Sequence, residues 1–174
     1  MRSALPLVAL TLLGWLGPAT GDAQASRSGS LGDGIVRGGS VDQFRLGGGE
    51  ATAVTFRITS LRRGTAGTDV ALSLFPTALA YRTLILAPTA GAAFSIDLGA
   101  ARLLLKAGAS GIVGLGGGAL LVPGVYAGVG GLVKADRRLA LRFDLLRHFY
   151  RIGGETQPAW SAGLGLAVLP RAAP

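Results

Sequence analysis

The sequence contains no cysteine and only one histidine, His148, among its 174 residues. Without cysteine no disulfide can stabilise the fold, and metal sites built from histidine and cysteine ligands are excluded. The nine acidic residues are dispersed along the chain and form no dense cluster of the kind that binds calcium. The sequence therefore predicts neither a metal site nor a cofactor.

Charge and long apolar runs are also scarce. Charged residues make up 15% of the chain, whereas soluble domains average about 25%. The mean hydropathy is +0.50, yet after the N-terminal region no apolar run reaches the length of about 20 residues that a membrane-spanning helix needs. The 29 glycines further disfavour helices. This combination fits a β-barrel whose apolar face is external.

The N-terminus is typical of a secretory signal peptide. Arg2 provides a basic start, Ala4–Leu16 is apolar but too short for a transmembrane anchor, and Ala23-Gln24-Ala25 fits the small-x-small cleavage rule. No twin-arginine pair and no cysteine for lipidation accompany it, which indicates export by the general secretory route. We expect a signal peptide at residues 1–25 and a flexible leader at 26–33.

Eight extended segments separated by turn residues follow. They are Gly34–Leu46, Ala51–Arg63, Thr68–Phe75, Leu79–Leu98, Ala101–Val113, Leu121–Lys134, Arg138–Arg151 and Ala159–Pro170. The fourth segment contains Pro88, which cannot donate to a ladder, so it is either one strand with a kink or bulge or two short strands. We predict an all-β fold, an antiparallel transmembrane β-barrel of eight strands over residues 34–170 with a C-terminal tail at 171–174.

The opposite faces of these segments differ in character. In the segment Arg138–Arg151, Leu141 and Phe143 alternate with Arg142 and Asp144. Alternation alone also fits a soluble barrel, but the face opposite the large apolar residues is rich in Gly, Ala and Ser and poor in the Lys and Glu of a solvated surface. We therefore place the apolar face against lipid and the other face inside the barrel.

Eight charged residues are the candidate lumen charges: Arg57, Asp69, Arg82, Asp97, Arg102, Lys106, Arg142 and Asp144. Five cations against three anions predict a net positive lumen, with some cations near water at its ends. Asp97 should approach Arg102 across a short turn. Asp144 should be reached from the sixth and eighth strands.

The signal peptide, the glycine-spaced alternating strands and the final pair "RRLALRFDLLRHFY…PAWSAGLGLAVLP" resemble the small outer-membrane β-barrel proteins of diderm, Gram-negative bacteria. The resemblance implies an eight-stranded barrel in the outer membrane of the cell envelope, inserted by the barrel-assembly machinery. Such barrels often end in a strand with a C-terminal aromatic residue. This chain instead ends "LAVLPRAAP", so recognition by that machinery would use an internal strand.

The expected function is a structural role in the envelope, with side chains filling the lumen and no enzymatic activity. Two alternatives are a lipocalin-like soluble barrel that binds a small hydrophobic ligand, and a lipid-modifying enzyme. The enzyme would use His148 with Ser161 on the neighbouring strand, but no orienting acid is evident beyond Asp144. Catalytic and cofactor-binding residues are therefore not assigned.

The net charge of +8 comes from dispersed arginines rather than from a cluster. Aromatic residues are few, so nucleic acid is not an expected partner. Arg62-Arg63, Arg137-Arg138, Arg147 and Arg151 lie near predicted strand ends, where cations suit the anionic headgroups of outer-membrane phospholipid or lipopolysaccharide. Nothing in the pattern fixes an oligomeric state.

Overall fold

The computed structural model describes residues 31, 33–62, 66–116 and 119–170. Within them, eight antiparallel strands follow one another around a closed barrel, and the first strand pairs with the last. The strands are β1 Gly34–Leu46, β2 Gly49–Leu61, β3 Ala66–Leu74, β4 Leu84–Asp97, β5 Ala101–Leu115, β6 Ala119–Lys134, β7 Leu139–Ile152 and β8 Glu155–Val168, with one short helix, α1 Pro76–Leu79. The all-β barrel prediction is confirmed, whereas the predicted signal peptide and C-terminal tail lie outside the described residues.

The last hairpin differs from its prediction. Gly153 and Gly154 have positive φ angles of 61° and 89° and form a tight two-residue turn. Because the turn is so short, β8 begins at Glu155, and Glu155–Pro158, expected in a loop, pair with β7. The composition of these residues favoured a loop, but their pairing with β7 makes them strand.

Pro88 lies within a single strand. Leu86 is opposite Val113 and Thr89 is opposite Ser110, so the register between β4 and β5 is the same on both sides of Pro88 and no bulge is present. Pairing with β5 is interrupted only at Ala87 and Pro88, whereas the β3 side of Pro88 stays paired. The first residues of the predicted fourth segment instead belong to α1 and the turn after it, which fold across one end of the barrel.

The outer wall consists of large apolar side chains. Every strand contributes one or more that are substantially exposed: Val41, Phe56, Val70, Phe94, Leu105, Val129, Phe143 and Leu164, taken from β1 to β8 in order. Soluble monomers rarely expose such a continuous apolar surface, and a surface of this kind indicates contact with a partner or a membrane. No helix in the described ranges is long and apolar enough to cross a bilayer.

The interior has apolar clusters at both ends and polar side chains between them. At the end that carries α1, which we call the helix end, Phe44 and Phe75 pack edge to face with ring centroids 5.5 Å apart, over Ala78 and Tyr150. At the other end, the terminal end, Leu31 is buried beside residues of the barrel wall. That cluster comprises Leu31, Val36, Leu61, Leu104, Leu132, Ala140, Ala167 and Leu169.

Leu164→Arg tests whether the outer wall meets hydrocarbon. Leu164 is 69% exposed and lies in the middle of β8, in register with Val41 and Phe143. A charge at that position in a bilayer should lower the free energy of unfolding by about 2–4 kcal/mol. The measurement is urea unfolding in phospholipid vesicles.

The matched control is Thr156→Arg on the same strand, where the exposed side chain lies beside the Gly153-Gly154 turn. Near an interface the expected cost is about 0–1 kcal/mol. Equal small effects at Leu164 and Thr156 would mean that the outer wall meets water.

Candidate functional site: the charged lumen

Five charged side chains meet in the middle of the barrel. Arg57 extends from β2, Asp69 from β3, Lys106 from β5, and Arg142 and Asp144 from β7. Each residue is at most 4% exposed. We call this group the lumen ion cluster. Apart from Arg142 and Asp144, its members are far apart along the chain, and closure of the barrel brings them together.

The two carboxylates of the lumen ion cluster are shared among its three cations. Asp144 accepts from Arg142 Nε at 2.7 Å and from Lys106, and it lies 3.6 Å from Arg57 Nε. Asp69 accepts from Arg57 Nη1 at 2.5 Å and lies 3.5 Å from Lys106 Nζ and 3.4 Å from Arg142 Nη2. Asp144 was expected to be reached from the sixth and eighth strands. Its partners instead come from β2, β5 and β7.

A third buried carboxylate, Asp42 on β1, completes the charge balance. Its oxygens accept hydrogen bonds from Ser40 Oγ at 2.6 Å and from Thr55 Oγ1 at 2.8 Å. Asp42 and Asp144 are both in register with Gly163, which places them at one level. Three anions therefore match three cations in this layer, and a fourth buried cation, Arg102, lies at the terminal end. The alternation of Asp42 with Val41 was a usable signal that the sequence analysis missed.

Glycines make room for the lumen ion cluster. Gly130 on β6 is in register with Asp144, and a Cβ there would overlap Asp144 Oδ1 and crowd Lys106. Gly163 on β8 leaves the space that the Asp42 carboxylate occupies. Because the lumen of an eight-stranded barrel only just accommodates side chains, charged residues on some strands require small residues on others.

Three of the predicted lumen charges lie outside the lumen ion cluster. Arg102 is 1% exposed at the terminal end, where it lies 3.4 Å from both Asp97 and Asp33 and donates to the carbonyl of Leu31. Asp97 is half-buried at the end of β4 and thus approaches Arg102 across the short turn, as expected. Arg82 is exposed in the turn after α1, with a positive φ of 55°, and does not enter the lumen. Because the residues around Arg82 are largely apolar, the sequence predicted an extended segment there and not a turn.

His148 and Ser161 do meet inside the barrel. His148 Nε2 lies 3.0 Å from Ser161 Oγ, and His148 Nδ1 lies 3.3 Å from the Tyr150 hydroxyl. The ring of Phe44 covers this group, with its centroid 5.2 Å from that of His148. Among the described residues no carboxylate hydrogen-bonds to His148, and no group of three His, Asp or Glu side chains could hold a metal ion. Both side chains are buried, His148 at 2% and Ser161 at 5% exposed.

A cation also lies on the outer wall, near the helix end. The Arg147 guanidinium stacks over Phe149 at 5.2 Å and over Trp160 at 5.0 Å from the ring centroids. Trp160 is in register with Arg147 on one side and Arg45 on the other. Within the described part of the chain no carboxylate pairs with Arg147, whereas Arg45 lies 3.7 Å from Glu50.

Comparison with known proteins identifies the fold. No family model and no curated protein matches the sequence. The barrel of Neisserial surface protein A matches 82% of this chain and 99% of its own, with 14% identity and a TM-score of 0.55. OprG from Pseudomonas aeruginosa matches 83% of this chain and 99% of its own, with 12% identity and a TM-score of 0.58. The N-terminal β-barrel domain of OprF from the same organism matches 79% of this chain and 98% of its own, with 14% identity and a TM-score of 0.56. This chain has the fold of the small eight-stranded outer-membrane β-barrels, and the predicted resemblance is confirmed at that level.

Breaking the lumen ion cluster should destabilise the barrel. Arg142→Met or Asp144→Asn leaves the buried lumen ion cluster with an uncompensated charge, and each should lower the free energy of unfolding by about 3–5 kcal/mol. The double variant restores the charge balance, so its cost should fall short of the sum of the single costs by about 0.5–3 kcal/mol. Urea unfolding of the four proteins in detergent measures this coupling.

The control cycle uses Arg45→Met and Glu50→Gln, a pair whose side chains are 68% and 69% exposed. There both the single effects and the coupling should stay below about 1 kcal/mol. A coupling at Arg142 and Asp144 as small as that of the control pair would show that the lumen charges are solvated.

Proposed function

We propose that this protein is an outer-membrane β-barrel with a structural role in the cell envelope, exported by the general secretory route and inserted by the barrel-assembly machinery. The observation that carries the proposal is the inverted distribution of polarity, with an apolar wall outside and paired charges inside. A soluble lipocalin-like barrel would need the opposite arrangement to remain in water. The fold supports the membrane location, since lipid requires every strand edge to be closed.

A filled lumen is the second part of the proposal. Along the axis, the apolar cluster under α1 is followed by His148 with its partners, then by the lumen ion cluster, and finally by the apolar cluster around Leu31. Ions crossing this barrel would have to displace both apolar ends and compete with the buried ion pairs. Two cavities in the described part, one on the outer wall and one in the mouth beside α1, are lined by residues other than those of the lumen ion cluster. A structural role suits such an interior better than transport or catalysis.

Reconstitution into planar bilayers tests the proposal. The purified protein should insert without giving steady ionic currents, because the ion pairs and both apolar clusters block the axis. Heat-modifiable gel mobility of the same sample, and its recovery in the membrane fraction, provide the control that a folded barrel is present. Steady currents from folded barrels would refute the filled lumen, and recovery only in the soluble fraction would refute the membrane location.

Anionic lipid headgroups are the partner that we propose for Arg147. The Arg147 guanidinium is held between two aromatic rings, and it lies on the apolar wall without a carboxylate partner in the described chain. Tryptophan and cations are typical of the interface between hydrocarbon and headgroups. A lipid phosphate, from phospholipid or lipopolysaccharide, would neutralise Arg147 at that depth.

Trp160 can report on this contact, because the only other tryptophan is Trp15 in the predicted signal peptide. In mixed vesicles, brominated phosphatidylglycerol should quench Trp160 fluorescence more strongly than brominated phosphatidylcholine at the same mole fraction. Arg147→Leu should remove this preference, which amounts to about 1 kcal/mol per cation. Arg137→Leu, an exposed arginine between β6 and β7, is the control and should retain it. An unchanged preference in Arg147→Leu would reject this partner.

A further inference from the structure

The apolar outer wall is short on β1. Arg37, Gln43 and Arg45 all face outwards from this strand and are exposed. Arg37 and Arg45 are eight residues apart (45 minus 37), which is about 27 Å along a strand that rises about 3.4 Å per residue. At the tilt of about 45° that membrane strands adopt, this is roughly 19 Å across the bilayer. The wall beside β1 thus falls short of the apolar band of about 25 Å that outer-membrane barrels present.

The reach of the polar side chains does not lengthen this short wall. Arg37 can extend its guanidinium past Ile35 towards the terminal end. At the helix end, however, the Gln43 amide donates to Thr52 Oγ1 at 3.0 Å, which fixes the edge at that level. From Ile35 to Gln43 is again eight residues (43 minus 35), or about 19 Å across the bilayer. The same edge continues in register across β7, β8, β1 and β2 through Arg147, Trp160, Arg45 and Glu50.

The opposite side of the barrel has a much taller apolar wall. β5 lies four strands from β1 in either direction. Its side chains that face outwards are all apolar along the whole strand, from Ala101 to Leu115. These 14 residues (115 minus 101) correspond to about 34 Å across the bilayer by the same conversion. On β4 and β6 too, the side chains that face outwards are apolar, from Leu86 to Ile96 and from Leu121 to Val133.

The short wall and the tall wall lie at the same height on the barrel. The strand pairings followed once around the barrel start at Val36 and return to β1 at Leu46, ten residues (46 minus 36) nearer the helix end. A level path therefore drops by half of that shift between β1 and β5. From Val41 the pairings reach Val113, so the level path meets β5 at residue 108, beside Ala107. The middle of the short wall thus lies directly across the barrel from the middle of the tall wall.

A bilayer of uniform thickness cannot match both walls. Tilting the barrel moves the edges of the two walls but leaves their heights unchanged. The closed, hydrogen-bonded wall cannot shorten on one side alone. The lipid must therefore adapt, because bilayers thin beside a protein surface that is shorter than the hydrocarbon and thicken beside one that is taller.

We propose that the barrel thins the bilayer beside β1 and thickens it beside β5. Its partner at β1 is then a phospholipid whose headgroup lies nearer the membrane midplane than the headgroups of the bulk bilayer. This position brings the headgroup to the level of Gln43 and Arg147, which a flat bilayer would leave in hydrocarbon. The proposal rests on the proposed membrane location, since the mismatch exists only for a barrel that spans a bilayer.

Spin labels measure this thinning, because the chain has no cysteine of its own. Each labelled protein is reconstituted in dioleoylphosphatidylcholine vesicles, and heat-modifiable gel mobility confirms that it is folded. The ratio of accessibility to oxygen and to a water-soluble nickel chelate gives the depth of each label. The deepest label on β1 should lie about 5 Å nearer the headgroups than the deepest label on β5, which is most of half the difference between the two heights. The variants are Ile35→Cys, Gly39→Cys and Val41→Cys on β1, and Leu103→Cys, Leu105→Cys, Ala107→Cys and Ala109→Cys on β5.

A further variant tests whether the polar residues of β1 set the edge. Gln43→Leu combined with Arg45→Leu lengthens the short wall and should move the label at position 41 about 3 Å deeper. Thr156→Leu, on β8 beyond the edge at Trp160, is the control and should leave that label at its original depth.

The outcomes separate the thinning from the membrane location. A flat bilayer gives the same greatest depth on both strands whatever the tilt of the barrel, so equal greatest depths on β1 and β5 would overturn the thinning and leave the membrane location standing. An unchanged depth at position 41 in the Gln43→Leu and Arg45→Leu double variant would also overturn the thinning. Accessibility to the nickel chelate at every labelled position of both strands would reject the membrane location itself.

Discussion

The structure depends on one constraint. In a closed eight-stranded barrel with an apolar exterior, charged side chains can lie only in the lumen or at the two ends of the barrel. Inside, a charge is tolerable only when a partner lies within reach. The lumen ion cluster meets this condition by sharing Asp69 and Asp144 among Arg57, Lys106 and Arg142. The lumen ion cluster therefore links β2, β3, β5 and β7, the strands that supply its five side chains.

The same constraint explains the unusual composition. A lumen that holds three guanidinium or ammonium groups and their carboxylates has little volume left, so the strands that face them carry glycine, as at Gly130 and Gly163. Outside, the strands carry Val, Leu and Phe where a soluble protein would carry Lys and Glu. Low charge, abundant glycine and high hydropathy are thus consequences of one inside-out arrangement rather than three separate features.

The sequence predicted the fold well because a two-residue period assigns every side chain to one of two faces. That period placed Arg57, Lys106 and Arg142 on the face that the structure buries. It could not predict which charges would pair, since the partners of Asp144 depend on how the barrel closes. Arg82 and α1 were missed for a different reason: they lie where alternation stops, and local sequence there resembles a continuing strand.

Pro88 shows how a closed barrel accommodates a local departure from regular pairing. Proline in a strand is usually confined to edges, yet a closed barrel has none. Here the missing donor faces β5 opposite Gly111, so the interruption remains confined to one level and the register continues unchanged on both sides. Because the rest of the seam is intact, the barrel keeps its closure.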